Sequence, residues 1–118
     1  MQTSRSRTNP IITKQVLFLW YQMIADIKNQ EEAEIIFADI LSETELSAIT
    51  KRLAVGYYLN KKRSYTVIKN NLKVSSATIA TVQQDLKKPG WKLAVQKILA
   101  EEWATTWEKK IKALISKH

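Results

Sequence analysis

The sequence predicts an all-α fold of about six helices. Three features predict it. Apolar residues recur at three- and four-residue intervals along most of the chain. The 118 residues include only two glycines and two prolines, leaving few places where helices must break. Serines also stand just ahead of several apolar runs, at Ser42, Ser64 and Ser75, where their hydroxyls can accept from the unpaired N–H groups of a helix start.

Residues 1–10 are polar, with Arg5 and Arg7 among serines and threonines, and read as a disordered basic arm ahead of a single helical domain over 11–118. From Ile11, the residues Ile12, Val16, Leu19, Trp20, Met23, Ile24 and Ile27 mark an amphipathic helix ending near Lys28-Asn29. A second helix is expected from Gln30 to Ile40. Glu31, Glu32 and Glu34 lie at its start, where the positive end of the helix dipole favours them, and Ala33, Ile36, Phe37 and Ile40 form its inner stripe.

Ser42 and Glu45 have capping-box spacing and open a third helix with Leu46, Ile49, Leu53, Gly56, Tyr57 and Leu59 inside. Gly56 costs a helix about 1 kcal/mol against alanine. It either marks the close approach of a neighbouring helix or is tolerated drift. Lys61-Lys62-Arg63 places positive charge at the negative end of this helix.

Residues 64–86 carry the functional signal. Ile68 and Leu72 share one face of a short helix, Ile79 and Val82 share one face of the next, and Val74 lies in the connection. This is the spacing of a helix-turn-helix. An αα-corner in an ordinary bundle would show the same spacing. The outer face of the second helix opens with Ser76, Ala77, Thr78 and Ala80. These residues are small enough to admit a helix into the major groove, and their hydroxyls and methyls suit base edges.

Charge favours the DNA reading. Residues 51–92 hold ten basic side chains and one acidic one, Asp85, while residues 1–50 are net acidic. Lys62, Arg63, Lys69 and Lys88 stand where phosphates would run beside a groove-bound helix.

Beyond Lys87-Lys88-Pro89-Gly90, which breaks the chain, a long last helix is expected over 91–115. Trp91, Val95, Ile98, Leu99, Trp103, Trp107, Ile111, Leu114 and Ile115 form its stripe. At about 25 residues and 37 Å it would overhang a domain with a radius of gyration near 13 Å. Contact with a second subunit is the simplest cover for it, with Trp20, Trp91, Trp103, Trp107 and Ile111 as interface candidates. Glu101, Glu102 and Glu108 argue against a membrane-surface helix.

Catalysis has no support in the sequence. Cysteine is absent, and the one histidine is His118. No spacing fits a metal, no glycine-rich loop could hold a nucleotide phosphate, and no cofactor is implied. With no apolar run approaching the roughly 18 residues of a membrane span and no apolar core of a signal peptide, the expectation is a cytoplasmic protein.

The run Ile68-Lys-Asn-Asn-Leu72, followed by Ala77-Thr-Ile79 and Leu86-Lys-Lys-Pro89, resembles the helix-turn-helix of the Trp repressor-like family. Upstream, Ile40 to Leu53 resembles the helix that precedes it there, so the resemblance covers about Ile36 to Leu86. It implies an intertwined, all-helical homodimer that binds operator DNA and represses transcription, with the 76–86 helix in the major groove. By family position it adds Thr66 and Lys87 to the base-contact candidates.

The sequence departs from the family at two points. The family's corepressor tryptophan is held between two arginines; Arg52 matches one, but Thr81 stands at the other position, and a hydroxyl does not replace a stacking guanidinium. Arg52 and Thr81 thus mark an effector pocket in which a tryptophan corepressor is not expected. Lys73 occupies the turn position that usually holds glycine. Two other functions fit the same residues: a helical protein-interaction or oligomerisation module, and a sequence-indifferent DNA binder.

Overall fold

A computed structural model describes residues 9–116, apart from the side chains of 107, 108, 115 and 116. Arg5, Arg7 and the rest of the arm through residue 8 therefore lie outside the described residues, as does the Trp107 side chain. Among the described residues there are six helices and no strand: α1 (Pro10–Ala25), α2 (Gln30–Ile40), α3 (Glu43–Asn60), α4 (Tyr65–Leu72), α5 (Ser76–Asp85) and α6 (Pro89–Ser116). Contacts divide the chain into two units, Met1–Ser47 and Ala48–His118.

In the first unit, Asn9 and Pro10 belong to the start of α1 and not to the arm. Asn9 Oδ1 accepts from Ile11 N at 2.9 Å, and Pro10 takes the first helical position, where its missing N–H is no loss. The helix stops at Ala25, short of the predicted Lys28-Asn29, because the Asp26 and Ile27 N–H groups turn back to Met23 and Ile24 in a tighter last turn. α2 has its predicted bounds and is capped by Asn29, whose side chain accepts from Glu32 N at 2.8 Å. Trp20 meets Phe37 edge-on, with centroids 5.9 Å apart.

The predicted inner stripes of this unit are half-buried at Trp20, Met23, Ile27, Ala33, Ile36 and Phe37 and exposed at their other positions. α1 and α2 contain no buried residue, and Ile12, Val16, Leu19 and Ile40 are exposed. α1 also exposes Ile11, Leu17, Phe18 and Tyr21, apolar surface outside the stripe. A helix apolar on so much of its circumference needs cover on several sides.

α3 opens with the predicted capping box. Glu45 N donates to Ser42 Oγ at 3.1 Å, and Ser42 N donates to Glu45 Oε1 at 2.9 Å. The core of the second unit joins Val55 of α3, Ile68 of α4, and Ile79 and Val82 of α5. Tyr58, Leu59, Leu72, Val74, Leu86 and Trp91 pack around it. Burying each core side chain is worth about 1.5–3 kcal/mol. The α4–α5 part of this core follows the predicted spacing. In α3 the buried positions are Val55 and Gly56, whereas Leu46 and Ile49, predicted to face inward, are exposed.

α6 starts at Pro89 and not at Trp91. A proline there has its φ already set for helix and gives up no needed N–H, so the residue expected to break the chain initiates the helix. The benzo edge of its Trp91 indole packs against Gly56: a Cβ added to Gly56 would come within 2.5 Å of the Trp91 ring. Close approach is therefore the reason for glycine at this position.

Candidate nucleic-acid interface

α4 and α5 are joined by three residues, and each has a serine cap. Ser64 Oγ accepts from Val67 N at 3.2 Å and Ser75 Oγ from Thr78 N at 3.1 Å. With Ile68, Ile79 and Val82 turned into the core, the opposite side of α5 faces solvent.

Ser76, Ala77 and Ala80 are exposed there, as are Thr66 on α4 and Lys87 beyond α5. Thr78 is half-buried, and its hydroxyl lies 3.0 Å from Ser75 Oγ. It therefore helps to fix the helix start and has less freedom to reach outward than Ser76. Tyr65 donates to Gln83 Oε1 and ties the first turn of α4 to the last turns of α5. That link spans 18 residues and leaves no trace in periodicity.

Lys62, Arg63, Lys69 and Lys88 are all exposed. Lys88 pairs with Asp85 at 3.1 Å; both groups remain partly in water, so the pair is weak and easily exchanged. Lys61 is tied up differently: its ammonium sits 3.0 Å from Glu102 Oε1 and over the Tyr57 ring. Lys62, Arg63 and Lys69 form no ion pair among the described residues.

The backbone at both ends of α4 is unusual. Lys73 has φ 55 and ψ 50, the left-handed conformation expected where the family's turn has glycine. Lys62 has φ 62, which the sequence did not announce. It closes α3 as the left-handed residue of a Schellman cap, with Lys62 N donating to Leu59 O at 3.0 Å and Arg63 N to Tyr58 O at 3.1 Å. This conformation costs a residue with a side chain roughly 1–2 kcal/mol.

Arg52 and Thr81 border one cavity of about 510 Å³, together with Thr78, Asp85 and Trp91. The Thr81 hydroxyl donates back to Ala77 O at 2.9 Å, and among the described residues the only guanidinium on the cavity wall is that of Arg52. A neighbouring apolar cavity of about 440 Å³ includes Ile49, Arg52, Lys88 and Trp91.

The interface candidates sit in different settings. Trp20 is half-buried against Phe37, and Trp91 is half-buried against the protein's own core. Trp103 and Ile111 are 65% and 51% exposed. Among the described residues no cluster of three or more His, Cys, Asp or Glu could hold a metal ion, and no helix is long and apolar enough to cross a membrane.

The family described as Trp repressor protein matches residues 15–99, which runs from α1 into α6 and includes the whole helix-turn-helix. The search of the curated proteins gave no match. With well over half of its length matched and six helices in the expected order, the chain belongs to the Trp repressor family of DNA-binding regulators.

Proposed function

We propose that this chain is a sequence-specific transcriptional repressor that acts as a homodimer, with α5 of each subunit in a major groove. The observation that carries the proposal is the outer face of α5. Ser76, Ala77 and Ala80 are exposed on a serine-capped helix held from behind by buried Ile79 and Val82, with exposed cations at Lys62, Arg63, Lys69 and Lys87 on its flanks. Small side chains allow the helix to approach base edges closely, and the cations supply the sequence-independent part of the affinity.

Dimerisation is supported by the apolar residues left exposed on α1 and on α6. Two reading helices related by a twofold axis would contact half-sites about 34 Å apart. The first turn of α5 lacks arginine, asparagine and glutamine, so specificity would come from hydroxyl contacts, water and DNA shape. We place the regulator in the cytoplasm with the DNA it reads, and assign it no tryptophan corepressor, because among the described residues the cavity at Arg52 and Thr81 offers a single guanidinium.

Selection of bound duplexes from a random pool, followed by anisotropy titrations at several salt concentrations, tests the proposal. A repressor of this kind enriches a palindrome and shows a steep negative salt slope. A slope without enrichment identifies a sequence-indifferent binder, and neither identifies an interaction module.

A further inference from the structure

We infer that Lys73, paired with Lys62, contacts DNA phosphates at the two ends of α4; this rests on the DNA-binding reading above. The starting point is the backbone. Lys62 and Lys73 are the only residues other than glycine with positive φ among the described residues. A side chain is disfavoured there because its Cβ crowds the following carbonyl oxygen, which is why glycine usually fills such positions. At both, the chain carries a lysine.

Packing does not account for them. Both side chains are exposed, and neither belongs to the core or its surrounding layer. Internal ion pairing does not account for them either, since neither lysine is in an ion pair among the described residues. What the two have in common is a positive charge, kept where glycine would give a more stable chain. Residues held in disfavoured conformations gather where a binding site needs them.

Their placement fits a phosphate backbone. Lys62 stands two residues before Ser64 and Lys73 two residues before Ser75, the caps of α4 and α5. The eight-residue α4 between them is about 12 Å long at 1.5 Å per residue. One DNA strand presents a phosphate about every 3.4 Å of its axis, so a helix of that length spans three or four. Lys69 lies between them on α4 and adds a third exposed cation.

The test uses the full chain and a fluorescein-labelled mixed-sequence duplex. Melting temperature and the salt dependence of binding are measured for wild type, Lys73→Gly, Lys73→Ala and Lys73→Arg. Lys73→Gly should melt several degrees higher yet bind severalfold more weakly, with the slope of log K against log salt shallower by about 0.9 for each Lys73 engaged. Lys73→Ala keeps the Cβ and loses the charge, so it should lose the same affinity with no gain in melting temperature. Lys73→Arg should match wild type in both.

A Lys73→Gly protein with higher melting temperature and unchanged affinity and slope would overturn the inference, leaving the lysine as tolerated strain. If wild type ignores the duplex at every salt concentration, the DNA-binding reading fails first and the inference with it.

Discussion

The Tyr57 hydroxyl donates a 2.6 Å hydrogen bond to Glu102 and joins α3 to α6 across 45 residues of sequence. Lys61 meets the other oxygen of the same carboxylate at 3.0 Å. One glutamate thus holds together the end of α3 and the middle of α6. The Tyr57 hydrogen bond, followed by that of Lys61, holds the Glu102 carboxyl below its ordinary range. The same hydrogen bond, reinforced by partial desolvation, pushes the Tyr57 phenol up.

The two shifts give opposite pH dependences. A carboxylate with a lowered folded-state pKa adds stability that is present above the ordinary glutamate value and lost as pH falls through the lowered one. A phenol with a raised pKa adds stability that is present below the ordinary tyrosine value and lost as pH rises through the raised one. Glu102→Gln should therefore flatten the stability profile at both the acid and the alkaline end. Part of the acid dependence should persist, because Glu45 is also lowered, chiefly by the Ser42 backbone N–H. Urea denaturation across pH checks this.

Gly56→Ala should destabilise the protein by about 1–3 kcal/mol, because the new methyl group has no room beside Trp91. In a Trp91→Ala background the same change should stabilise by up to about 1 kcal/mol, the intrinsic preference of a helix for alanine over glycine. A double-mutant cycle in urea measures the reversal. Additive effects would mean that ring and glycine do not meet.

Ser75→Ala should cost about 1 kcal/mol, the usual penalty for removing an N-cap hydroxyl. It should also weaken DNA binding, since Ser75 holds both the Thr78 N–H and the Thr78 hydroxyl at the start of α5. Ser64→Ala removes an equivalent cap from α4 and should match the loss of stability.

Tryptophan should give no saturable heat in calorimetry at micromolar concentrations. The cavity at Arg52 has a threonine where a second guanidinium would be needed, and the hydroxyl of that threonine is already given to Ala77 O. Saturable binding would restore the corepressor to the mechanism.

What could be read from the residues depended on how far apart the interacting groups lie. The caps at Ser42, Ser64 and Ser75 act over three residues and were legible, as were the bounds of α2 and the Ile68, Ile79 and Val82 core. Gly56 was legible as an oddity, but only the structure identifies Trp91 as its neighbour. The Tyr57–Glu102 and Tyr65–Gln83 links leave no periodic trace because side chains distant in sequence form them.

The Schellman cap at Lys62 was hidden because lysine replaces the glycine that would have announced it. α1 misled in another way. Its periodicity suggested one buried stripe, yet only Trp20, Met23 and Ile27 of that stripe are half-buried, and apolar residues on its other sides are exposed as well. In the site, the small outer residues of α5 were legible from their type. That carboxylates engage Lys61 and Lys88 was not.

Ser76→Asp, at an exposed position in the first turn of α5, tests the central claim, that the outer face of α5 reads DNA, most directly. A carboxylate in the first turn of a helix is favoured by its dipole, so the substitution should leave folding intact, while setting a negative charge against the phosphates. Anisotropy with the duplex selected from the random pool, alongside sedimentation, is the measurement. The account predicts loss of DNA binding with sedimentation identical to wild type; binding at wild-type affinity would contradict it.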